Sequence, residues 1–384
     1  MAQQGRQGVD VRRVAIVADW CAPRLGGIET HIIDLAANLR SVGLEATILT
    51  SFPGPAEIGG VRIDRVATPL LPGVALAFSP WLVGALRQRL SAGGFDLVHV
   101  HASQFAPFCL AATLAADRLG LPVVVTFHSL MHVLAPGMAR AARWSGLPRH
   151  GVALTGVSSL VARQMASAMP GREVGVLANG YDAGFWMPAA EARPSSDGPV
   201  RLVSGMRLAR RKRPFALLEV LARALEIAGA AGDGVTLTIA GAGPLRQALE
   251  RRAGRLGIGS RVVFAGWLDR PGLRDLYRRS DLFLMPSVKE SFCIAALEAR
   301  ATGLPVIGMA CTGMTDFIRD GENGEMAADD ADMAMRLAAL LSDRGRLAAL
   351  AADDDGLASF AWNGLAQEHL AFYGRVAAAR SEST

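Results

Sequence analysis

The chain has 384 residues, of which 51% are hydrophobic and 20% are charged, so it is long enough for two globular domains and too apolar to be disordered. Its 40 basic and 35 acidic residues leave a net charge of +5, which favours an anionic ligand over a strongly cationic one. Only three tyrosines are present, and no basic run is interleaved with aromatic residues, so a nucleic-acid-binding protein is not expected.

The four cysteines, Cys21, Cys109, Cys293 and Cys311, show neither metal-ligand spacing nor a paired arrangement. We therefore expect reduced thiols in a cytoplasmic protein. The polar start of the chain lacks the apolar core of a secretory signal. The longest uncharged run, residues 66–86, contains three prolines, which would break a membrane-spanning helix.

Short apolar runs alternate with helical patterns, which predicts parallel sheets covered by helices. The predicted strands are 11–19, 45–50, 95–101, 122–128, 200–206, 235–241, 261–266, 281–287 and 305–310. A Pro-, Ser- and Gly-rich segment separates the two groups and is the predicted linker. We place a first domain at 1–185, the linker at 186–199, a second domain at 200–360 and a C-terminal helix at 361–384.

Glycines and histidines follow the predicted strands of the first domain. Gly26 and Gly27 precede an amphipathic helix whose free N–H groups could bind an anion, although a structural turn would look similar. His99, His101 and His128 finish two strands, at the end where ligands bind in open α/β sheets. Histidine can exchange protons near neutral pH, whereas a strand-end histidine satisfied by the backbone is the alternative, favoured for His99 and His101. Without a carboxylate at metal-ligand spacing, no metal site is predicted.

Basic and aromatic residues follow strands of the second domain. Arg207 comes directly after a strand, and Lys212 can approach the same point. An arginine fork and a lysine charge suit a diphosphate, and a solvated basic face is the alternative. Trp267 and Leu268 could flank a planar base, with a core tryptophan as the alternative.

A largely apolar segment holds two glutamates, Glu290 and Glu298, eight positions apart. On one helix, eight steps bring a side chain back to within about 80° of its starting direction, so both could face one ligand. We predict a helix whose first turn is Ser291, Phe292 and Cys293, with N–H groups directed at phosphate. The two acids would then accept hydrogen bonds from the hydroxyls of a ribose and a sugar.

These motifs resemble, in order, those of the retaining GT-B glycosyltransferases of group 1, a GT4-like family. "ESFCIAALE" resembles the Glu-x7-Glu signature of that family, and "GGIETH" resembles its first-loop glycines. "FDLVHVH", "TFH", "GMRLARRK", "IAGAGPLR" and "FAGWLDR" also correspond, so the resemblance spans nearly the whole chain. It implies an α/β fold with two Rossmann-like doubly wound domains facing across a cleft. The first domain would bind acceptor and the second nucleotide sugar, with the last helix packing back on the first domain.

The resemblance also implies roles for the matched positions. Those matching catalytic positions are Arg207, Lys212, Glu290 and His128. Those matching donor-binding positions are Gly26, Gly27, Trp267, Leu268, Ser291, Phe292, Cys293 and Glu298.

Among these, Arg207 and Lys212 would stabilise the donor diphosphate as the glycosidic bond breaks. Glu298 would bind ribose, Glu290 would lie beside the donor sugar, and His128 would lie near the sugar or the acceptor. Gly26 and Gly27 would contact the diphosphate, and the loop at Trp267 and Leu268 would contact the base. Cys293 replaces the usual glycine of the family, which predicts crowding of the donor sugar.

The implied activity is retaining transfer of a sugar from a nucleoside diphosphate sugar to a hydroxyl of a glycan, lipid-linked saccharide or small metabolite. Neither metal nor another cofactor is expected, and the leaving phosphate would help to deprotonate the acceptor. The ordered motifs disfavour an epimerase or a phosphorylase. A catalytically inactive GT-B subunit that binds nucleotide and assists a partner enzyme is the alternative.

Peripheral contact with the inner face of the membrane is a separate hypothesis. It rests on the apolar run with Trp81, followed by Arg87 and Arg89, which could lie on an anionic surface. A buried helix of the first domain is the favoured alternative.

Overall fold

The computed structural model describes residues 11–24, 26–71, 76–77, 79–130, 152–188, 198–351 and 355–382. The chain divides into two compact units. Unit 1 comprises Met1–Gly180 and Trp362–Thr384, and unit 2 comprises Tyr181–Ala361. Each unit contains a parallel sheet, with one antiparallel edge strand in unit 1, and helices pack against both sheets, as the alternation of apolar and helical patterns predicts.

Unit 1 has an eight-stranded sheet in the order β10-β9-β8-β7-β1-β2-β4-β3 and a separate pair, β5 and β6. Its strands are β1 Arg13–Val17, β2 Glu45–Thr50, β3 Glu57–Ile58, β4 Val61–Arg65, β5 Leu70–Leu71, β6 Leu76–Ala77, β7 Leu97–Ala102, β8 Val123–Phe127, β9 Val152–Gly156 and β10 Val174–Val176. Its first helices are α1 Gly27–Leu39, α2 Leu82–Gly93, α3 Pro107–Arg118 and α4 Ser159–Ala168.

The central strands of this sheet are buried along their whole length. Every residue of β7 and of β8 is buried, because helices cover both faces of such a sheet and leave no solvent face. Strand β1 pairs in parallel with β2 and β7, and β7 pairs in parallel with β8. The carboxyl ends of these strands therefore lie at one edge, followed by α1, α3 and His128.

Unit 2 has a six-stranded parallel sheet in the order β13-β12-β11-β14-β15-β16. Its strands are β11 Arg201–Gly205, β12 Thr236–Ala240, β13 Val262–Gly266, β14 Leu282–Leu284, β15 Val306–Met309 and β16 Gly324–Ala327. Its helices are α5 Pro214–Ala228, α6 Arg246–Arg255, α7 Arg270–Arg278, α8 Ile294–Ala301, α9 Asp330–Ser342 and α10 Arg344–Ala351. The strand order reverses direction at β11 and β14, which is where ligands bind in doubly wound sheets.

The predicted linker at 186–199 begins within the core of unit 2. Trp186 is fully buried, and its ring centroid lies 6.0 Å from that of Tyr277. Burial of a large apolar side chain is favourable, so Trp186 packs in the core of unit 2 and is not part of an exposed linker. Residues 189–197 of the predicted linker lie outside the described residues.

The last helix, α11 (Trp362–Ser381), belongs to unit 1. Trp362, Leu365 and Tyr373 share one buried apolar cluster with Ile32 and Leu39 of α1. No helix in the described part of the chain is both long and apolar enough to cross a membrane.

Candidate active site

Three strands of unit 2 bring the predicted donor-binding segments to one edge of the sheet. Strand β11 pairs in parallel with both β12 and β14, so the segments that follow these strands start side by side. Arg207 follows β11, Gly241 follows β12, and Glu290 follows β14.

The backbone on both sides of Arg207 is fixed by the turn that follows β12. The N–H of Met206 donates to the carbonyl of Ala240 at 2.9 Å, and the N–H of Leu208 donates to the carbonyl of Ala242 at 2.9 Å. A Cβ atom at Gly241 would lie 1.8 Å from the Met206 carbonyl oxygen, and φ at Gly241 is +143°. Only glycine permits this approach, so the glycine turn helps to position Arg207.

Lys212 and Glu290 form an ion pair at this edge. The Lys212 Nζ lies 2.7 Å from the Glu290 Oε1. The Glu290 side chain is only 8% exposed, whereas that of Lys212 is 32% exposed. A buried carboxylate without a partner is costly, and Lys212 supplies a cationic partner for Glu290. The structure thus brings these two predicted catalytic residues together.

The segment between the two glutamates differs from the prediction. Helix α8 begins at Ile294 with Cys293 as its N-cap, so the residues predicted as its first turn precede it. Glu290 therefore lies in the loop before the helix that contains Glu298, and the prediction that this helix starts at Ser291 was wrong. The physical reason is the left-handed backbone at Cys293, where φ is 79°, which a continuous right-handed helix cannot contain.

Cys293 is buried beside the charged groups of this site. Burial raises the pKa of its thiol to about 12, and the negative charges of Glu290 and Glu298 add to this while Lys212 opposes it. The thiol is therefore protonated at neutral pH and is a poor nucleophile. Cys293 influences a ligand here through the volume of its side chain.

Glu298 is buried on α8 and lies near the phenol of Tyr277. Burial raises the pKa of Tyr277 well above its usual value, and the charge of Glu298 raises it further. A Cβ atom at Gly205, the last residue of β11, would lie 2.4 Å from the Tyr277 hydroxyl oxygen. The predicted ribose-binding acid is thus close to the carboxyl end of β11.

The other predicted donor contacts of unit 2 divide into exposed and buried positions. Trp267, directly after β13, is 59% exposed, so the core-tryptophan alternative is wrong, and Leu268 is half-buried. Ser291 is half-buried. Phe292 is buried, and its ring packs 5.1 Å from Phe317 between centroids. Phe292 therefore anchors the loop, and only its backbone is suited to ligand binding.

In unit 1, an ion pair connects the glycine loop between β1 and α1 to the first turn of α1. Gly26 is the N-cap of α1, and Gly27 is its first residue. A Cβ atom at Gly26 would lie 2.3 Å from the Glu29 Oε2, so a side chain at this position would displace the buried Glu29 carboxylate. Arg24 pairs with Glu29 at 3.1 Å and lies over the ring of Trp20 at 4.3 Å. Sequence reasoning missed Glu29, although an acid in the first turn of a helix is a favourable placement.

His99 is a structural residue in the middle of β7. Its Nδ1 is hydrogen-bonded to the Tyr373 hydroxyl at 2.7 Å, and its Nε2 to the Thr126 hydroxyl at 2.7 Å. Side chains, rather than the backbone partners considered from the sequence, satisfy both ring nitrogens.

His128 lies directly after β8 and is buried. Its Nε2 is hydrogen-bonded to the Nδ1 of His101 at 2.9 Å. Burial lowers the pKa of His128 to about 3, so the expectation of proton exchange near neutral pH is wrong for this structure. His31 of α1 lies beside both rings, with centroids 5.4 Å from His101 and 5.2 Å from His128. Sequence reasoning missed His31, although its place on the buried face of α1 was readable from the helical pattern.

The two α/β units and the residues at their sheet edges define a GT-B glycosyltransferase fold. Solved structures share it: HepE from Anabaena, in complex with UDP, matches with a TM-score of 0.76 at 18% identity, over 95% of this chain and 100% of that one. Sucrose-phosphate synthase from Thermosynechococcus elongatus matches with a TM-score of 0.71 at 19% identity, over 95% of this chain and 99% of that one.

Sequence comparisons give the family. Residues 25–185 match Glycosyltransferase Family 4, and residues 200–343 match Glycosyl transferases group 1. The D-inositol 3-phosphate glycosyltransferase of Salinispora tropica is 30% identical, over 92% of this chain and 82% of that protein. The protein of the same name from Rhodococcus jostii is 31% identical, over 94% and 89%. The chain belongs to the group 1 glycosyltransferases of family 4, and it is a glycosyltransferase enzyme.

Proposed function

We propose that the protein transfers a sugar from a nucleoside diphosphate sugar to a hydroxyl group, with retention of configuration and without a divalent metal. The observation that supports this most directly is the Lys212–Glu290 ion pair, 2.7 Å long, beside the buried Glu298 at the ligand-binding edge of unit 2. Related structures of HepE contain UDP and UDP-glucose, which supports a nucleotide-sugar donor for this chain.

In this proposal, the cations of unit 2 stabilise the leaving group. As the bond from the anomeric carbon to the phosphate oxygen breaks, its electron pair moves to the diphosphate, and Arg207 and Lys212 stabilise the added charge. The acceptor oxygen forms the new bond on the same face, and its proton passes to the leaving phosphate. Glu290 accepts hydrogen bonds from the sugar, and Glu298 accepts them from ribose. Trp267, which is exposed, flanks the base.

The roles suggested for unit 1 remain part of the proposal. Gly26 and Gly27 are assigned to the donor diphosphate, and His128 to the sugar or acceptor. His128, with its pKa lowered to about 3, would act as a neutral hydrogen-bonding group. For the acceptor, an inositol phosphate is the first candidate to test, because two relatives are named for transfer to D-inositol 3-phosphate.

The donor site is tested by calorimetric binding of UDP, GDP and ADP, each compared with its monophosphate. We expect selective binding of one diphosphate by the wild type, and Lys212→Met should weaken that binding about 10- to 100-fold, as loss of a charge-assisted contact does. Binding of the monophosphate should change much less, because Lys212 is assigned to the added charge of the diphosphate. Lys289→Met is the matched control, since Lys289 is exposed beside Glu290. Equal losses for both variants, or no binding of any diphosphate at millimolar concentration, would contradict the proposal.

The inactive-subunit alternative predicts nucleotide binding without turnover. It is separated from the enzyme by incubating the wild type with the diphosphate sugars of the preferred base and measuring released nucleotide with and without acceptor. Transfer, or slow donor hydrolysis that Lys212→Met abolishes, supports the enzyme. Tight nucleotide binding with neither reaction across the donor series would favour the inactive subunit.

Peripheral membrane contact is proposed for the start of α2. Helix α2 buries Leu82, Leu86 and Leu90, so its apolar face packs in unit 1 as the buried-helix alternative predicted. Trp81 at its N-cap remains 80% exposed, and Arg87 is exposed on the same helix. An exposed tryptophan near a cation suits the interface of an anionic bilayer. Flotation with anionic vesicles at low salt should recover the wild type with lipid and Trp81→Ala to a lesser extent, whereas a wild type that stays at the bottom excludes the contact.

A further inference from the structure

We propose that His31, His101 and His128 form a binding site for a transition-metal dication of the Zn²⁺ class within unit 1. One ring nitrogen of each residue lies within 4.8 Å of those of the other two. The three side chains come from α1, from β7 and from the residue after β8, so three different elements place them around one point.

The unused hydrogen-bonding capacity of these rings points to a ligand. His31 Nδ1 and His101 Nε2 are buried and have no hydrogen-bond partner among the described residues. Both side chains are 2% exposed. Leaving a buried polar atom unpaired costs about 1–3 kcal/mol, whereas coordination of a metal by His31 Nδ1 would use its lone pair.

The contact between His101 and His128 also favours coordination. The His101 Nδ1 and the His128 Nε2 lie 2.9 Å apart and share one proton in a hydrogen bond. A metal that replaced this proton would need the two nitrogens about 3.3 Å apart, given Zn–N bonds of about 2.0–2.1 Å in tetrahedral geometry. The change is a few tenths of an ångström, and the displaced proton would move to the other nitrogen of its own ring, so that both imidazoles stay neutral. The nitrogen of His31 would move inward by more, through rotation of its side chain.

The chemistry of the ligands selects the metal. Neutral imidazoles suit Zn²⁺, Cu²⁺, Ni²⁺ and Co²⁺, whereas Mg²⁺ and Ca²⁺ require oxygen ligands. Burial lowers the pKa of all three histidines, so each is already neutral at pH 7 and can coordinate without first losing a bound proton. Three protein ligands leave a fourth position for water or a substrate oxygen, as in open zinc sites.

This proposal departs from the sequence-based expectation that the chain has no metal site, which rested on the lack of a carboxylate at metal-ligand spacing beside the histidines. Sequence spacing could not indicate the site, because His31, His101 and His128 are far apart in the chain and none belongs to a paired-ligand motif. If His128 contacts substrate as proposed, a bound metal would occupy that histidine and inhibit transfer. The metal site itself does not depend on that role.

The test uses the full chain in a Cys311→Ser background, because Cys311 is the exposed cysteine and an obvious competing ligand. Titration with Zn²⁺ should give one tight site by calorimetry, and Co²⁺ should give the visible absorption bands of tetrahedral coordination at the same stoichiometry. His31→Phe and His101→Phe should each weaken binding more than about 100-fold, since loss even of groups that only orient metal ligands costs about 10–100-fold. Mg²⁺ should not compete.

A matched control is His132→Ala with His150→Ala, the two histidines outside the described residues, which should leave binding unchanged. Absence of one-to-one Zn²⁺ binding to the Cys311→Ser protein would overturn the proposal whatever the triad variants do. Binding that the control removes, and that His31→Phe and His101→Phe retain, would overturn it as well. Because donor binding is measured separately with UDP, GDP and ADP, failure of the metal site would leave the proposed transferase function intact.

Discussion

Cys293 occupies a backbone conformation that side chains rarely adopt. Its φ of 79° costs about 1–2 kcal/mol for a residue with a Cβ atom, and glycine avoids that cost. Cys293→Gly and Cys293→Ala both remove the buried thiol, so they differ mainly in this strain. Part of the gain in glycine is offset by its greater unfolded-state entropy, about 0.4–1 kcal/mol.

We therefore expect Cys293→Gly to be more stable than Cys293→Ala by up to about 1 kcal/mol in free energy of unfolding. Thermal unfolding of the two variants side by side measures the difference. An alanine variant as stable as the glycine variant would show that the left-handed conformation relaxes without cost.

The same position should influence donor choice. The buried Cys293 side chain lies close to the charges of Glu290 and Lys212, where the transferred sugar is proposed to bind. Cys293→Gly should raise kcat/KM for bulkier sugars relative to the preferred one by about 10-fold or more, as removal of one small group from a pocket does. Competition assays with a series of sugar nucleotides give this ratio, and an unchanged ratio would show that Cys293 does not contact the sugar.

Sequence reasoning found these residues but not their local geometry. Lys212 and Glu290 were predicted to serve one ligand, and the structure shows them in contact. The start of α8 was wrong because an apolar segment beginning with Ser291 fits a helical pattern, whereas the backbone at Cys293 depends on how the preceding loop packs. His31 was missed because the helical pattern indicates that it is buried without showing which groups it meets, and Glu29 was missed because one acid in a first turn does not indicate its ion-pair partner.

Among the elements, α11 is attached to unit 1 by a buried polar contact as well as by apolar packing. The Tyr373 hydroxyl is hydrogen-bonded to the His99 Nδ1 at 2.7 Å, and both side chains are fully buried. Tyr277 in α7 offers a matched comparison, because it is equally buried and its hydroxyl has no hydrogen-bond partner among the described residues. The same substitution therefore has different expected effects in the two helices.

Tyr373→Phe should destabilise the protein by about 1–3 kcal/mol, since it leaves a nitrogen of His99 unpaired. Tyr277→Phe should be neutral or stabilising, because it removes an unpaired buried hydroxyl. Calorimetric Tm values would show a decrease of about 2–4 °C per kcal/mol for the first variant alone. Equal decreases for both would mean that loss of the hydroxyl acts through packing instead.

The central strands of both sheets were predictable, whereas the outer strands of the unit 1 sheet and β16 were not. Runs such as 95–101 and 122–128 are continuously apolar apart from histidine, threonine and aspartate, as strands buried on both faces are, and they appear as β7 and β8. Strands β3, β4, β5, β6, β9, β10 and β16 were not predicted; of these, β10 and β16 have only three or four residues, which give no readable period. The predicted linker was placed across Trp186 because local composition does not show that one aromatic side chain packs in unit 2.

Across the whole molecule, the histidines are distributed unequally. All seven lie in the segments of unit 1, and five of them, His31, His99, His101, His128 and His369, are buried there. Burial lowers the pKa of each below the usual value of 6.5, to about 3 for His128 and about 4 for His369. Acid should therefore act on the two units differently.

The direction in which pH changes the stability of unit 1 follows from proton uptake. Since the folded pKa values are lower than 6.5, the unfolded chain binds more protons than the folded chain below pH 6.5. Stability present above pH 6.5 is then lost as the pH falls toward the folded values, at about 1.4 kcal/mol per pH unit for each histidine. By pH 5, His128 and His369 together account for about 4 kcal/mol, a large part of the stability of an ordinary domain.

We expect unit 1 to unfold between pH 6 and 5 in the presence of EDTA, which excludes bound metal, while unit 2 remains folded. The sequence of unit 2 contains no histidine, so unit 2 is an internal control. Hydrogen exchange followed peptide by peptide should show loss of protection in β7, β8 and α11 but not in β11, β12 and β14. Simultaneous loss in both units would mean that their stabilities are coupled, and full protection of β7 and β8 at pH 5 would show that the buried histidines accept protons in the folded state.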